Sequence, residues 1–538
     1  MVEIVGAEIV EPGSASVPST SLGAGRCLVR ESIAAVSAAV LCDLMLYRGE
    51  GFAGLALLFL LSPALLLLGG SAARLNRGFA LTAGMILLLS LRLVWLGSVL
   101  GVIAGFTLLV ASAMCLAGRR PYVLDLVAYA LQAPIAGVRH LVAHARAICQ
   151  PRRRVPRLFW LNVGLPLAAV LVFGGLFVLA NPDLVTSCRI WVDWAWHALW
   201  ASLADRIPAW TQVLVWIVAA CVTIGLLRPV WKRPLLERFA TVTRDLADAE
   251  PVCAAAPLYP AFRNVLVAVI VLFAVYLVFE FKTLWFRVFP PGFHYSGYAH
   301  EGAAWLTAAL ALATVTLSVV FQGRILHDPR LPRLRRMAWI WSVENLVLAI
   351  AVFHRMSIYV GFNGMTRMRT IGLFGISAVV VGFLLVVWKI MHRRGFIWLL
   401  QRHLWTVAIA AYLFALTPVD ALVHRYNVRR ILGGDPAPSV QISVHPISSE
   451  GILVLHPLLD CHDPVIREGV RALLAERAEQ AEAAWQQQRQ QGWTATQLAD
   501  RMLVDQLRGI RSEWALYVDP ARRTEALERF HSYAYQWY

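Results

Sequence analysis

Apolar residues in this chain come in long unbroken blocks rather than in alternation with polar ones; VLVAVIVLFAVYLVF, Val265 to Phe279, is one of them. Blocks of about 15 to 22 residues match the length a helix needs to cross roughly 30 Å of hydrocarbon at about 1.5 Å per residue. Spanning strands would be shorter and alternating, and an open sheet edge has no place in lipid. Composition agrees: 59% of the 538 residues are hydrophobic and 15% charged, against about 25% charged in an ordinary soluble domain. The mean hydropathy is +0.62. The expected fold is all-α, a polytopic transmembrane bundle of about eleven spans with a small, mostly helical C-terminal extracytoplasmic domain. The spans read as 33–47, 51–69, 78–95, 99–116, 160–180, 213–227, 265–284, 302–321, 337–353, 371–390 and 405–418.

This gives three regions: a disordered tail over 1–26, a multi-pass domain over 27–421 and a soluble domain over 422–538. The tail carries Glu3, Glu8 and Glu11 among Gly, Ser and Pro, without the basic start and apolar core of a cleavable signal peptide. The first span is therefore expected to act as an uncleaved anchor. Orientation follows from Lys and Arg, which cytoplasmic loops retain. The tail and every second loop, with adjoining span ends, hold 27 of them, whereas the intervening loops hold 9. The N-terminus is expected in the cytoplasm and, after an odd number of spans, the C-terminus outside.

The same distribution accounts for the net charge of +16. The excess sits in inner loops such as PRRRVPR (Pro151 to Arg157) and RLPRLRR (Arg330 to Arg336), as anchoring beside anionic lipid requires. Nucleic acid is not an expected partner; the lipid bilayer is, with an envelope protein as a possible second partner through residues 422–538. Two segments read as helices lying on the membrane: Arg189 to Ile207 on the outer side, and Tyr122 to Cys149 on the inner side, interrupted at Pro134. In the C-terminal region a strand-like run from Val440 to Val444 precedes helices over Pro464 to about Gln490, Thr494 to about Leu516, and Ala521 to Tyr535. The second of these carries Leu503, Leu507, Ile510 and Trp514 on one stripe.

YSGYAHEG (Tyr295 to Gly302), VENLVL (Val343 to Leu348), RMSIYVGFNGMTRMRTIGL (Arg355 to Leu373) and RYNVRR (Arg425 to Arg430) resemble, in this order and spacing, an uncharacterised bacterial membrane family. It is a domain of unknown function in the 4153 and 4173 group, and the resemblance extends over about Leu28 to Leu432. It implies a multi-pass protein of the bacterial inner membrane, and it carries over no activity because the family has none assigned.

Ionisable residues inside spans are costly and usually face a bundle interior or a wet cavity. Asp43, Arg92, Glu280, Arg355 and Asp420 fall near outer span ends, and Glu344 beside Asn345 falls near mid-depth. Asp43 and Arg92 lie at similar depths and are expected to be able to pair. Such residues lock bundles or snorkel at least as often as they carry function. At the start of the eighth span Glu301 complements a helix dipole, while Tyr295, Tyr298 and His300 add aromatic and polar groups. The last outer loop places Arg367 and Arg369 on the side the charge rule disfavours, which suggests a fixed anionic partner. These seven residues, Arg355 included, make up a candidate outer-face ligand pocket, with Glu301 expected within reach of one of the three arginines.

Other chemistry has little support. His445, His456 and His462 are weak metal-ligand types whose spacing matches no zinc signature. The eight cysteines contain no CxxC pair, and no GxSxG, HExxH or P-loop occurs. No metal or cofactor is expected, and catalytic residues are not identifiable. Three classes remain: a membrane sensor or assembly partner, a transporter or channel, and an enzyme acting on lipid-linked substrates at the outer face.

Overall fold

The computed structural model describes residues 21–70, 76–149, 208–229, 258–282, 295–321, 328–392 and 394–537, with isolated positions at 170, 186, 189–194, 196–197 and 325. Side chains at 21–28, 143–149 and 295–303 are outside that description. The described residues are helical and contain no strand. In chain order, α1 (Ser21–Cys42) continues into a π turn (Asp43–Tyr47), followed by α2 (Phe52–Gly69), α3 (Arg77–Trp95), α4 (Val99–Leu116), α5 (Val123–Cys149) and α6 (Trp210–Leu227). The second half holds α7 (Tyr259–Glu280), α8 (Tyr295–Val320), α9 (Leu331–Asn363), α10 (Arg367–Met391) and α11 (Phe396–Leu416). After these come α12 (Val419–Leu432), α13 (Ser439–Ser443), α14 (Ser449–Ile452), α15 (Pro464–Gln491), α16 (Leu498–Gly509), α17 (Arg511–Trp514) and α18 (Pro520–Tyr535).

Among the described residues eight helices are long and apolar enough to cross a membrane: α2, α3, α4, α6, α7, α9, α10 and α11. Their outward faces are apolar too; on α7, Val271, Leu272, Val275 and Val278 are each more than half exposed. Helices with apolar side chains on all faces suit lipid rather than water, and the chain is a multi-pass membrane protein. The expected span 160–180 falls outside the described residues, apart from a helical position at 170. Residues 1–20 of the expected tail do as well, and α1 begins at Ser21, inside that tail. The outer surface helix is described only at 189–194 and 196–197, which are helical and exposed.

The ends of these helices are set by local chemistry. Asn76 caps α3 by accepting from the Phe79 amide at 2.8 Å, and Ser98 caps α4 by accepting from Gly101 at 3.1 Å. Pro63 sits inside α2, a position that membrane helices tolerate. The helices form two groups, α1 to α6 and α7 to α10, and α11 touches both. The Tyr412 hydroxyl of α11 donates to the Met85 carbonyl at 2.9 Å, and Trp405 Nε1 donates to Pro121 at 3.1 Å, tying α11 to the first group.

Two expectations are corrected. Tyr122 to Cys149 is not a free surface helix broken at Pro134: α5 runs through Pro134 and packs antiparallel along α6. A Cβ on Gly137 would stand 1.8 Å from the Cys221 carbonyl oxygen, and one on Gly225 would stand 1.8 Å from that of Ala133. The two backbones thus touch where both helices lack a side chain, the close approach small residues permit in membranes. Val440 to Val444 is also no strand. Ser439–Ser443 is a helical turn, and the Val444 amide bonds back to Val440 at 3.0 Å. With no neighbouring strand to pair with, the buried backbone satisfies itself locally.

The C-terminal helices largely follow their amphipathic patterns. Leu503, Leu507 and Trp514 are buried as expected, but the helix breaks at Ile510 into α16 and α17. Their core also takes in Val428 and Ile431 of α12, so α12 belongs to both parts of the molecule. Cys461 is buried and unpaired.

The α5–α6 contact yields the first prediction. Gly137→Leu should lower the thermal stability of the purified protein by about 1–3 kcal/mol or more, because two backbones have to separate. Gly84→Leu, at a site with nothing within 4 Å of the added Cβ, should change it little. Equal melting temperatures for the two variants would reject the crossing.

Candidate functional site

One end of the bundle gathers most of the buried charge. Arg355 on α9 donates twice to Glu280 on α7, Nε to Oε1 at 2.7 Å and Nη2 to Oε2 at 2.5 Å, and the Tyr276 hydroxyl adds a bond of 2.9 Å. Both charged side chains are almost fully buried, so removing one alone would cost about 3–5 kcal/mol. Asp43 does not pair with Arg92. It meets Arg48 at 2.9 Å and accepts from Gln212 at 2.6 Å. Arg92 instead meets Glu450 of α14 at 2.9 Å, a carboxylate that also accepts from Trp95 Nε1 at 3.3 Å. Glu344 and Asn345 stand apart from this end. Asn345 bonds back to the Trp341 carbonyl at 2.7 Å, while Glu344 Oε2 has no partner among the described residues.

The loop from α9 to α10 is built into the same end. Gly364 has φ +94°, and a Cβ there would meet Asn427 Oδ1 at 2.5 Å. Asn427 of α12 accepts from the Met365 amide at 2.7 Å and donates to the Met365 carbonyl at 2.9 Å. Arg430 donates to the carbonyls of Val360 and Gly361 at 2.8 and 2.7 Å. Thr366 caps α10 by accepting from Arg369 at 3.1 Å. The loop's conformation is therefore dictated by α12.

Beside it lies a cleft of about 980 Å³ between α8, α9, α10 and α12, closed on one side by His445 and Pro446. Within it Arg367 grips Asp420, Nε to Oδ1 at 3.0 Å and Nη2 to Oδ2 at 2.5 Å, and the Ser448 amide donates to Oδ2 at 3.0 Å. Arg369 is only 5% exposed. It stacks 3.6 Å over the Tyr359 ring and donates to the Gly364 carbonyl, and its Nε has no acceptor among the described residues. The remaining lining is largely apolar: Met356, Met368, Ile371, Ile376, Gly372 and Gly375.

Expected and observed sites overlap in part. Arg367 and Arg369 line the cleft together, joined by Asp420. Arg355 does not line it and is committed to Glu280. Tyr295, Tyr298, His300 and Glu301 stand on α8 ahead of Ala304 and Thr307, which do line it, but their side chains are outside the described residues. Of the two arginines expected to have an anionic partner, Arg367 meets Asp420, and Arg369 meets no carboxylate among the described residues; Arg355 is paired with Glu280. His456 and His462 are exposed, and no metal-binding group occurs among the described residues. Sequence reasoning missed His424, Asn427 and Glu450. Asn427 lies inside the RYNVRR motif, and the spacing of Asp420, His424 and Asn427 puts all three on one face of α12.

Three groups here have displaced proton affinities. Burial pushes the Asp420 carboxyl up, but hydrogen bonds from Arg367 and Ser448 outweigh it and hold the group below its ordinary value. Burial lowers His424 to about 4, helped by Arg367 and His445 and opposed by Asp420. His445 is lowered by burial and by Arg369. Both histidines are neutral at pH 7, and the charge in the cleft comes from the arginines and Asp420.

A family described as "Domain of unknown function (DUF4153)" matches residues 35–449. The chain belongs to this family. The DUF4153 region covers all the spans described above and the cleft up to Pro446, and ends in α14 next to Ser448. Neither a curated protein nor a solved structure matches the chain.

His424 makes stability depend on pH. Below its ordinary value of 6.5 the unfolded chain takes up a proton that the folded chain refuses until about 4. Stability should be full above pH 6.5 and fall as pH drops toward 4. His424→Gln should flatten that part of a melting-temperature profile, and an unchanged slope would remove His424 as its cause.

Proposed function

We propose that this DUF4153 protein is a bacterial inner-membrane sensor or assembly partner, with its N-terminus cytoplasmic and residues 422–538 outside, whose outer cleft and C-terminal helices move as one linked unit. The observation that carries the reading is the sharing of Asp420. One of its oxygens accepts from both Arg367, at the cleft, and the Ser448 amide. Ser448 is the N-cap of α14, and two residues on Glu450 takes Arg92 and Trp95 of α3. A change at Arg367 thus has a short covalent and hydrogen-bonded route to the other helix group.

Further contacts support the same link. The Gly97 amide donates to Gln497, the Glu50 amide donates to Thr494 at 3.3 Å, and Asn363 donates to the Trp537 carbonyl at 3.0 Å. All lie at the bundle end that the positive-inside rule assigns to the outside. A partner in the envelope would meet exposed apolar side chains such as Leu516 and Val518.

Glu450→Gln should speed hydrogen exchange in two separate places, 445–452 and the 363–369 loop, in full-length protein in nanodiscs. Acceleration confined to 445–452 would sink the linked-unit reading. Orientation has its own test: a reporter fused after Tyr538 should be active only in the extracytoplasmic compartment, and cytoplasmic activity would reverse the assignment.

A further inference from the structure

Arg367 and Arg369 are two residues apart, yet their chemical situations differ. Arg367 has its carboxylate. Arg369 is buried, stacked on Tyr359 and bonded to one carbonyl, and no carboxylate meets it among the described residues. A buried guanidinium left in that condition is costly, and its unpartnered Nε lies in the wall of the cleft. His424, 4% exposed, lines the same cleft with an unpartnered Nδ1. Among the described residues Asp420 is the only acidic one of the lining, and it is already held by Arg367 and Ser448. The positive end of the α10 dipole favours negative charge at the same place.

The rest of the cleft has opposite character. Its lining continues down α10 from Arg367 to Ile376, roughly 14 Å of helix, and that stretch presents Ile371, Gly372, Gly375 and Ile376. Gly375 has nothing within 4 Å of where a Cβ would stand. Met356 and Ala304 complete this apolar part of the lining. The volume of about 980 Å³ is at the upper end of ordinary ligand sites. One end fits an anion and the other a hydrocarbon chain.

We propose that the cleft binds a phosphate-bearing amphiphile, its headgroup held by the Arg369 guanidinium with His424 beside it, and its chain lying along Gly372 and Gly375 of α10. A planar guanidinium matches phosphate oxygens two at a time, and Arg369 is the lining arginine that no carboxylate meets among the described residues. This deepens the sensor reading and rests on it only in making the cleft the sensory site. The binding measurement does not involve the Glu450 link, so lipid binding without coupling and coupling without lipid binding are separate results.

The test uses full-length protein in a non-ionic detergent, titrated with short-chain phosphatidic acid, short-chain phosphatidylcholine or inorganic phosphate. Native mass spectrometry reads the adducts. Phosphatidic acid is expected to bind once, at least about ten-fold tighter than phosphatidylcholine, a difference of about 1.4 kcal/mol. Inorganic phosphate at millimolar concentration should not displace it. Arg369→Gln should weaken binding about ten-fold or more, and Arg522→Gln, at an exposed arginine of α18, should leave it unchanged. Gly375→Leu blocks the apolar part of the cleft where there is room for a side chain. It should weaken phosphatidic acid by a similar factor without lowering the melting temperature, and it decides the matter if Arg369→Gln fails to fold. Equal binding of phosphatidylcholine, or full affinity in either folded variant, would overturn the proposal. Displacement by inorganic phosphate would overturn the amphiphile and leave a site for a free anion.

Discussion

A carboxylate removed from water at the edge of a bilayer has to be fully bonded, and the arrangement around Asp420 follows from that requirement. Asp420 lies in the first turn of α12, directly after Pro418 ends the last span, where a helix dipole favours negative charge. Its oxygens are satisfied by a two-pronged arginine from the first position of α10 and an amide from the segment leading into α14. That carboxylate ties the three pieces of chain at one point, and the Asn427 and Arg430 bonds to the loop hold two of them together beside it. The face of α12 that carries Asp420 also delivers His424 to the cleft and Asn427 to the Met365 backbone, while Val428 and Ile431 join the core of the C-terminal helices.

The one-sided distribution of polar residues was legible in the sequence because helical rise turns position along a span into depth. Of these residues, Arg92 meets Glu450 and Asp420 meets the Ser448 amide, both in the segment that leads to the C-terminal helices. Partner choice was not legible. At a shared depth several opposite charges compete, and the outcome depends on which helices are neighbours. Asp43 found Arg48 just beyond the end of its own helix and Gln212 across the bundle. Arg92 was then met by Glu450, 358 residues away in a segment that sequence reasoning had placed in a separate domain. Depth is a local property of sequence, and neighbourhood is not.

Secondary structure followed the same division. The apolar stripe of α16 was readable because burial of one helical face leaves a repeat every three to four residues. The five-residue run Val440 to Val444 carries too little pattern to tell a buried helical turn from a strand, and every residue from Ser439 to Ile442 is buried. Tyr122 to Cys149 has the composition of a surface helix, with Arg139, Arg146 and two histidines. What overrides it is a pair of glycines, Gly137 and Gly225, that no periodicity analysis weighs. Absence of a side chain leaves no hydrophobic signal, yet it decides how closely two helices approach.

The loop NGMTRMR shows how far two identical residue types can diverge over one helical turn. Arg367, at the first position of α10, is half exposed, and its fork is occupied by Asp420. Arg369 points the other way from the same turn, and everything that fixes it is uncharged: the Gly364 carbonyl, which is set by a positive φ only glycine adopts readily, and the face of the Tyr359 ring. Asn427 holds the loop through both backbone groups of Met365, so the guanidinium is positioned before any anion arrives. A cation held in place by neutral groups loses little freedom when it binds, and preorganisation of this kind favours affinity more than added contacts do. Arg367 is thereby a structural pairing, and Arg369 is the arginine to which the proposed headgroup site is assigned.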